Sequence, residues 1–342
     1  MDSNPATDPD LTGPEPSSTA MEPVYAVGRI GVDFGSEARR DGFRLRMDTA
    51  PGAPPPDPED PRQLHDHLVR TPWASNKLIW TLAVDSTGNT PVYALEAEPT
   101  VGLEWPGAEL LAQALTHPTN APDLLRRIAA APPVHPVHRA LHDALLGRSL
   151  PARDPDRVTR LSVPGRLTGR SAWLFSGQVV PVVEVSTVGL ARWTEARLTA
   201  AALDVVERAA VEGGALDRER AGEHVRALLD KVYLHFRNPG RSAAERALNH
   251  AGTLAFCSGD RLGEALLPGG PVPDGSGERL CTLDSITVAR TPYCRAGSDC
   301  QDVMVRFLDP AEGRRTAVTY VYTFDVGDDL PVSLAPVHRF LG

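Results

Sequence analysis

The sequence predicts an α+β fold with mostly antiparallel sheets, a central group of three helices and two subdomains. Runs typical of β-strands lie in both the first and the last thirds of the chain, and the stretch 194–267 has helical periodicity. Proline-rich breaks separate these segments. A chain of 342 residues is also longer than one hydrophobic core usually fills, which favours two subdomains.

Proline-rich and polar breaks set the predicted boundaries. Residues 1–21 contain little to bury and are predicted to form a disordered acidic tail. The segment 50–61 has six prolines and is predicted to be an external loop, because proline interrupts helices and central strands. A break at 149–156 divides the rest into an N-terminal subdomain, 22–150, and a C-terminal subdomain, 151–342.

Strand patterns dominate the N-terminal half. Apolar and β-branched residues are dense there, and residues 87–89 (Thr-Gly-Asn) lie where two strands would turn. The segment 63–70 is predicted to be a short helix, and 107–147 is helical in pieces that prolines separate. The strand patterns cover 24–34, 78–97, 158–169 and 171–186.

Three helices are predicted in the middle of the chain. Thr194 can cap the first, which runs to about Glu212 before two glycines, and Asp217 opens the second. Ser242 and Glu245 have the spacing of a capping box at the start of the third, which extends to 267. An exposed loop is predicted at 267–278, and antiparallel strands at 285–290, 303–309, 316–326 and 331–340.

The charge distribution excludes two classes of partner. The net charge is −9, and the first 22 residues carry five acidic side chains with no lysine or arginine, so the remainder is near −4. This balance lacks the basic surface that binds nucleic acid or an anionic membrane. The chain also lacks an apolar run of about 20 residues and the pattern of a signal peptide, so we expect a cytoplasmic protein.

Cys294 and Cys300 lie in a loop between two predicted strands. Cysteines that face each other across such a hairpin can come within disulfide reach. A zinc site would recruit Cys257 and Cys281, but five residues separate Cys294 from Cys300, whereas zinc ligands are usually two to four residues apart. The spacing therefore favours buried or loop-bracing thiols and no cofactor, with zinc or a redox pair as the alternatives.

Other candidate catalytic residues are sparse. His135, His138 and His142 could hold a metal, but Val137 and Leu141 already define the apolar face of this helix, which favours a solvated histidine face. No G-x-S-x-G, HExxH, Walker or G-x-G-x-x-G motif is present. The sequence therefore indicates no known catalytic class.

The segment 28–43 combines glycines with charges of alternating sign. An arginine–carboxylate network that braces a strand-to-helix junction is the favoured interpretation. The functional alternative is a receptor for a carboxylate or a peptide terminus. The candidate peptide-binding residues are Arg29, Asp33, Arg39, Arg40 and, on a later predicted strand pair, Arg170.

Several stretches together resemble one known family. Residues 25–43, 78–97, 162–184, 228–249 and 284–310 are similar, in this order, to the C-terminal region of the PatA/PatG family of cyanobactin maturation proteases. That region is called a domain of unknown function. The cysteine pair falls within the shared pattern, whereas the three-histidine segment does not.

The resemblance implies a pathway that matures ribosomally made, modified peptides, without implying a reaction. In the family, subtilisin-like domains remove the leader or remove the follower and macrocyclise, and this chain lacks them. We therefore expect a stand-alone accessory protein that binds a precursor peptide or a maturation enzyme, for example by adding an extended peptide to an exposed strand edge. A peptide-modifying enzyme that uses the cysteines, a metal or the Arg/Asp cluster is the alternative, and a homodimer is possible.

Overall fold

The structure is a computed structural model. It describes residues 21–48, 54–84, 90–98, 135–210, 218–257, 259–266, 280–292, 294–308 and 316–341, with isolated positions 52, 116 and 122. Several predictions lie outside the described residues: the acidic tail up to residue 20, the turn at 87–89, most of the helical pieces in 107–134, the glycine stop after Glu212 and the loop at 267–278. Among the described helices, none has the length and hydrophobicity needed to span a membrane.

Five strands of the first sheet form a closed ring. Along the sheet the order is β1-β2-β3-β5-β4-β6, and β1 also pairs with β4, so the first five strands close on themselves. Only the β3–β5 pairing is parallel. The strands are β1 (Pro23–Asp33), β2 (Ile79–Ala83), β3 (Pro91–Ala97), β4 (Arg160–Trp173), β5 (Val179–Val185) and β6 (Ala191–Trp193).

Apolar side chains at alternate positions of the strands fill the interior of this barrel. Val24, Ala26 and Ile30 of β1 contribute to one buried cluster with alternate residues of the other four strands of the ring. Gly28 lies where β1 changes its partner from β4 to β2. A Cβ atom there would stand 2.4 Å from the Ala83 carbonyl oxygen, so only glycine permits this approach.

Helices cover this core. They are α1 (Glu37–Arg44), α2 (Pro61–Arg70), a 3-10 helix (Pro72–Lys77) and α3 (Pro136–Arg148), and they add Phe43, Leu64 and Leu141 to the barrel cluster. The Asp60 side chain caps α2 by accepting from the backbone of the second and third helical residues, and Pro61 occupies the first position. The last two residues of the proline-rich break therefore begin α2.

Four helices and a second sheet follow the barrel. The helices are α4 (Glu195–Ala210), α5 (Arg218–His235), α6 (Ala243–Cys257) and α7 (Gly259–Leu266). The strands are β7 (Thr282–Arg290), β8 (Cys300–Leu308), β9 (Thr316–Asp325), β10 (Val332–Ser333) and β11 (His338–Leu341), in the order β10-β9-β8-β7 with β11 also on β9. The mixed, mostly antiparallel fold class is confirmed.

The predicted capping box is present, but the third helix is shorter than predicted. The Glu245 backbone N–H donates to Ser242 Oγ at 3.3 Å, and the Ser242 N–H donates back to the Glu245 carboxylate at 3.0 Å. The segment expected to form one helix up to residue 267 forms α6 and α7 instead.

A turn at 238–240 joins this helical part to the barrel. The Gly240 carbonyl accepts from the Tyr25 backbone N–H at 3.0 Å, and the Asn249 side-chain amide donates to the Tyr25 carbonyl at 2.8 Å. The barrel includes strands from both sides of the boundary predicted at 149–156, because β1 pairs with β4. The change from the barrel to the helices comes after Trp193 instead.

Candidate functional site

Two of the predicted candidates, Asp33 and Arg40, line one groove. Its volume is about 470 Å³, and it lies where the end of β1, α1, the segment before α2, the end of α3 and the β4–β5 turn meet. We call it the Asp33 groove. Its charged and aromatic lining consists of Asp33, Phe34, Arg40, Glu59, Arg148 and Phe175.

Asp33 braces the rim of this groove. One carboxylate oxygen accepts from the backbone N–H of Gly35 at 2.6 Å and from that of Phe175 at 2.9 Å. The first bond stabilises the turn into α1, where Gly35 has a φ of 70°. The second ties this turn to the β4–β5 turn. Asp33 therefore positions two backbone segments through their N–H groups, whereas the predicted network pairs carboxylates with arginines.

Arg40 is the centre of an ion-pair network. Its guanidinium lies 3.1 Å from Glu37, 3.7 Å from Asp41 and 3.6 Å from Glu59. The guanidinium carbon is also 5.8 Å from the centre of the Phe175 ring. The Nε atom is buried and meets no hydrogen-bond acceptor among the described residues. The three carboxylates are largely exposed, so each pair contributes little stability and can exchange for a ligand carboxylate.

Arg148 lies at the inner side of the groove, and the sequence analysis did not identify it. One guanidinium nitrogen donates to the Ile30 carbonyl at 2.5 Å. Burial lowers the pKa of this guanidinium, and the charges of Arg29 and Arg157 lower it further. A Cβ atom on Gly31 would lie 2.8 Å from the Thr81 hydroxyl, so glycine leaves this part of the groove free. No motif indicated Arg148, because only the packing of α3 on β1 brings it here.

The other three candidates do not line the groove. Arg39 is exposed on α1, and its backbone N–H donates to the Ser36 hydroxyl that caps this helix. Arg170 pairs with Glu96 through two contacts of 2.5 and 3.5 Å. Arg29 lines a second cavity, between the barrel and α5.

The structure joins Cys294 and Cys300 in a disulfide. Their Cα atoms are 5.4 Å apart, and the Cys300 backbone N–H donates to Cys294 Sγ at 3.1 Å. The sequence favours loop-bracing thiols, whereas this structure has the disulfide, because the two residues face each other at the mouth of the β7–β8 hairpin.

A four-cysteine zinc site does not fit this geometry. Cys281 is buried at the start of β7, whereas the disulfide follows its end. Nine strand residues separate them by about 25–30 Å. Cys257 ends α6, and its side chain lies outside the described part. The residues that the structure describes contain no group of three or more histidine, cysteine or acidic side chains arranged for a metal.

The predicted solvated histidine face is wrong. His138 and His142 are buried because α3 packs between α2 and the barrel, and burial lowers the pKa of each to about 4. His142 Nε2 lies 2.6 Å from Ser75 Oγ, but Ser75 is 0% exposed. This serine–histidine pair is therefore closed to a substrate.

Comparisons with known proteins agree with this architecture. A family model described as PatG C-terminal matches residues 215–340, which cover the helices after α4 and the second sheet. Among solved structures, the chain is similar to one entitled PatG Domain of Unknown Function, with 33% sequence identity and a TM-score of 0.70. The match covers 94% of this chain and 99% of that one, so it includes the barrel. A comparison with curated proteins gave no match.

Proposed function

Because this chain belongs to the family of the PatG domain of unknown function, we propose that it is an accessory binding protein of a cyanobactin-like pathway for ribosomally made, modified peptides. Its partner is a precursor peptide, presented alone or on a maturation enzyme. The observation that supports the proposal is the Asp33 groove, in which Asp33 and Arg40 lie with apolar side chains around a volume of about 470 Å³.

The lining of the groove suits a peptide. The volume is within the usual range for ligand pockets, about 300–1,000 Å³. Phe34, Leu64 and Leu145 offer apolar contact, while Glu59 and Arg40 offer an acceptor and donors for polar groups. Phe175 is 54% exposed at the rim, where an aromatic ring can cover a peptide side chain.

The closed barrel argues for the groove over strand addition in the first sheet. Strands β1 to β5 each pair with at least two neighbours, so among the described strands of this sheet only the three-residue β6 has a free edge. In the second sheet β7, β10 and β11 each pair with one described strand, and β7 is the longest of the three, so strand addition would use β7. Of the predicted arginines Arg40 lines the groove, and none of them belongs to β7, which favours the groove.

Calorimetric titration with precursor peptides of the cyanobactin type tests the proposal. Phe175→Ala should weaken binding about tenfold, since truncation of an aromatic anchor typically costs 1–2 kcal/mol or more. The matched control is Phe340→Ala, because Phe340 is 57% exposed on β11, outside the groove. Equal losses in both variants, or no binding of any precursor by the native chain, would contradict the proposal.

Mass spectrometry of the same mixtures separates binding from catalysis. An accessory binding protein leaves the mass of the precursor unchanged. A mass change that disappears in Asp33→Asn or Cys294→Ser would replace this proposal with a peptide-modifying enzyme.

A further inference from the structure

A second cavity of about 470 Å³ lies between the barrel and α5. Its lining contains four basic side chains and two acidic ones, so its formal charge is about +2 in a protein of net charge −9. We call it the Arg160 cleft. The basic residues are Arg29, Arg160, Lys231 and Arg237, and the acidic residues are Glu195 and Asp230.

Arg160 is the unusual member of this group. The residue is only 5% exposed, and its Nη1 atom is buried without a hydrogen-bond partner in the part of the chain that the structure describes. Its guanidinium carbon lies 4.6 Å from the centre of the Tyr233 ring, so a cation–π contact provides part of the stabilisation. A buried guanidinium with an unmatched donor is costly, because the lost hydrogen bond to water is not replaced.

The acidic groups of the cleft do not neutralise Arg160. The Glu195 carboxylate accepts from the Tyr233 hydroxyl at 3.0 Å, and no described carboxylate lies within ion-pair distance of Arg160. Burial lowers the pKa of Arg160, and the charges of Arg29 and Arg237 lower it further. The electrostatic interactions with Tyr233 and Glu195 raise this pKa and offset part of the effect. The Tyr233 hydroxyl stays protonated, because burial raises its pKa and the charge of Glu195 raises it further. An anion in the cleft would relieve the excess of positive charge.

We propose that the Arg160 cleft binds an organic carboxylate, such as the C-terminal carboxylate of a peptide, and that this group supplies the acceptor that Arg160 Nη1 lacks. The Nη1 atom is covered in the free protein, so side chains around the cleft move aside when the carboxylate reaches it. Guanidinium groups bind carboxylates through two parallel hydrogen bonds.

The other lining residues favour a carboxylate with an apolar substituent over a phosphate. Glu195 and Asp230 reduce the attraction of the four basic residues for any anion, so the other groups of the ligand decide the preference. Leu234 is 55% exposed on the same wall as the Tyr233 ring, and the two offer an apolar surface to the rest of the ligand.

The two cavities are neighbours along β1. Arg29 lines the cleft and Gly31 lines the groove, and residues two apart on a strand share a face. They use different side chains, however, so carboxylate binding in the cleft does not depend on peptide binding in the Asp33 groove.

Calorimetric titration with N-acetylphenylalanine, its carboxamide and inorganic phosphate tests the proposal. The free acid should bind at least tenfold more tightly than either of the others. Arg237→Ala, at an exposed position, should weaken binding of the acid about tenfold, and Arg139→Ala on α3 should leave it unchanged. Phe175→Ala should also leave it unchanged, which separates this site from the Asp33 groove.

Arg160→Met distinguishes a ligand-binding arginine from a structural one. This variant should lose binding and melt at the same or a higher temperature, because the buried unmatched charge is removed. Equal affinity for acid and carboxamide, phosphate binding at least as tight as the acid, or unchanged binding in Arg237→Ala would overturn the proposal. A lower melting temperature of Arg160→Met with unchanged binding would also overturn it.

Discussion

At the residue scale, buried histidines mark the junctions between elements. His250 of α6 lies between two rings, 5.2 Å from Tyr25 of the barrel and 4.9 Å from Phe324 of the second sheet. Burial lowers its pKa to about 4, and its Nδ1 atom is buried without a partner among the described residues. The neutral ring therefore packs as an aromatic side chain where the barrel, α6 and β9 meet.

This histidine makes stability depend on pH. The pKa of His250 is about 4 in the folded protein and about 6.5 in an unfolded chain, so the unfolded state binds the proton first as the pH falls. The free energy of unfolding should therefore fall below pH 6.5, with a contribution from His250 of about 1.4 kcal/mol per pH unit until pH 4.

Urea unfolding at several pH values measures this contribution. His250→Phe keeps a ring and cannot be protonated, so its stability should decline less steeply between pH 6.5 and pH 4. The remaining slope is expected from His138 and His142, whose pKa values are lowered in the same direction. Identical slopes in the variant and the native protein would contradict the assignment.

At the element scale, the β7–β8 hairpin shows how a loop can be held at its ends. The disulfide between Cys294 and Cys300 closes the loop directly before β8. The Thr291 backbone N–H donates to the Cys300 carbonyl at 3.2 Å, and the Val326 N–H donates to the Asp299 carbonyl at 2.8 Å. The loop is therefore tied both to its own hairpin and to the segment after β9.

Removal of the disulfide should lower stability modestly. The loop that it closes is short, so the chain-entropy model gives about 2 kcal/mol for the double variant Cys294→Ser/Cys300→Ser. Chemical unfolding with and without a reducing agent measures the effect. The reducing agent should destabilise the native chain by a similar amount and leave the double variant unchanged. Alkylation that finds both thiols free in the unreduced native chain would contradict the disulfide.

At the scale of the whole molecule, closure of the barrel depends on close backbone contacts. β1 pairs with β4 through residues about 140 positions away, and with β2 through its other half. Gly28 lies between these two pairings, and Gly165 has a similarly close contact, since a Cβ atom there would lie 2.2 Å from the Glu184 carbonyl oxygen. Neither approach tolerates a side chain, so the ring depends on glycine at both places.

Gly28→Ala should lower the free energy of unfolding by about 2–4 kcal/mol, because a methyl group would push β1 away from β2. Gly42→Ala is the matched control. Gly42 lies in α1 with nothing within 4 Å of a Cβ position, so alanine there should raise stability by about 0.5–1 kcal/mol. Chemical unfolding measures the stability of both variants. An unchanged free energy of unfolding in Gly28→Ala would contradict the required close approach of β1 and β2.

The sequence by itself determined the local features of this protein. Strand alternation, the capping box at Ser242 and Glu245 and the helical periodicity after Thr194 depend on residues within a few positions, so the mixed α+β class was predictable. The same holds for the charge network around Arg40, since Glu37 and Asp41 are its neighbours in sequence.

Only the tertiary structure decided how distant segments meet. Four features join residues that are far apart in the chain. They are the pairing of β1 with β4, the contact of Asp33 with the Phe175 backbone, the burial of the α3 histidines and the position of Arg160 against α5. These contacts depend on the free energy of the whole packed chain, whereas local periodicity reports only which face of an element is apolar. Both proposed binding sites lie at such meetings, so the sequence identified Asp33, Arg40 and Arg29 as candidate residues but not the cavities that they line.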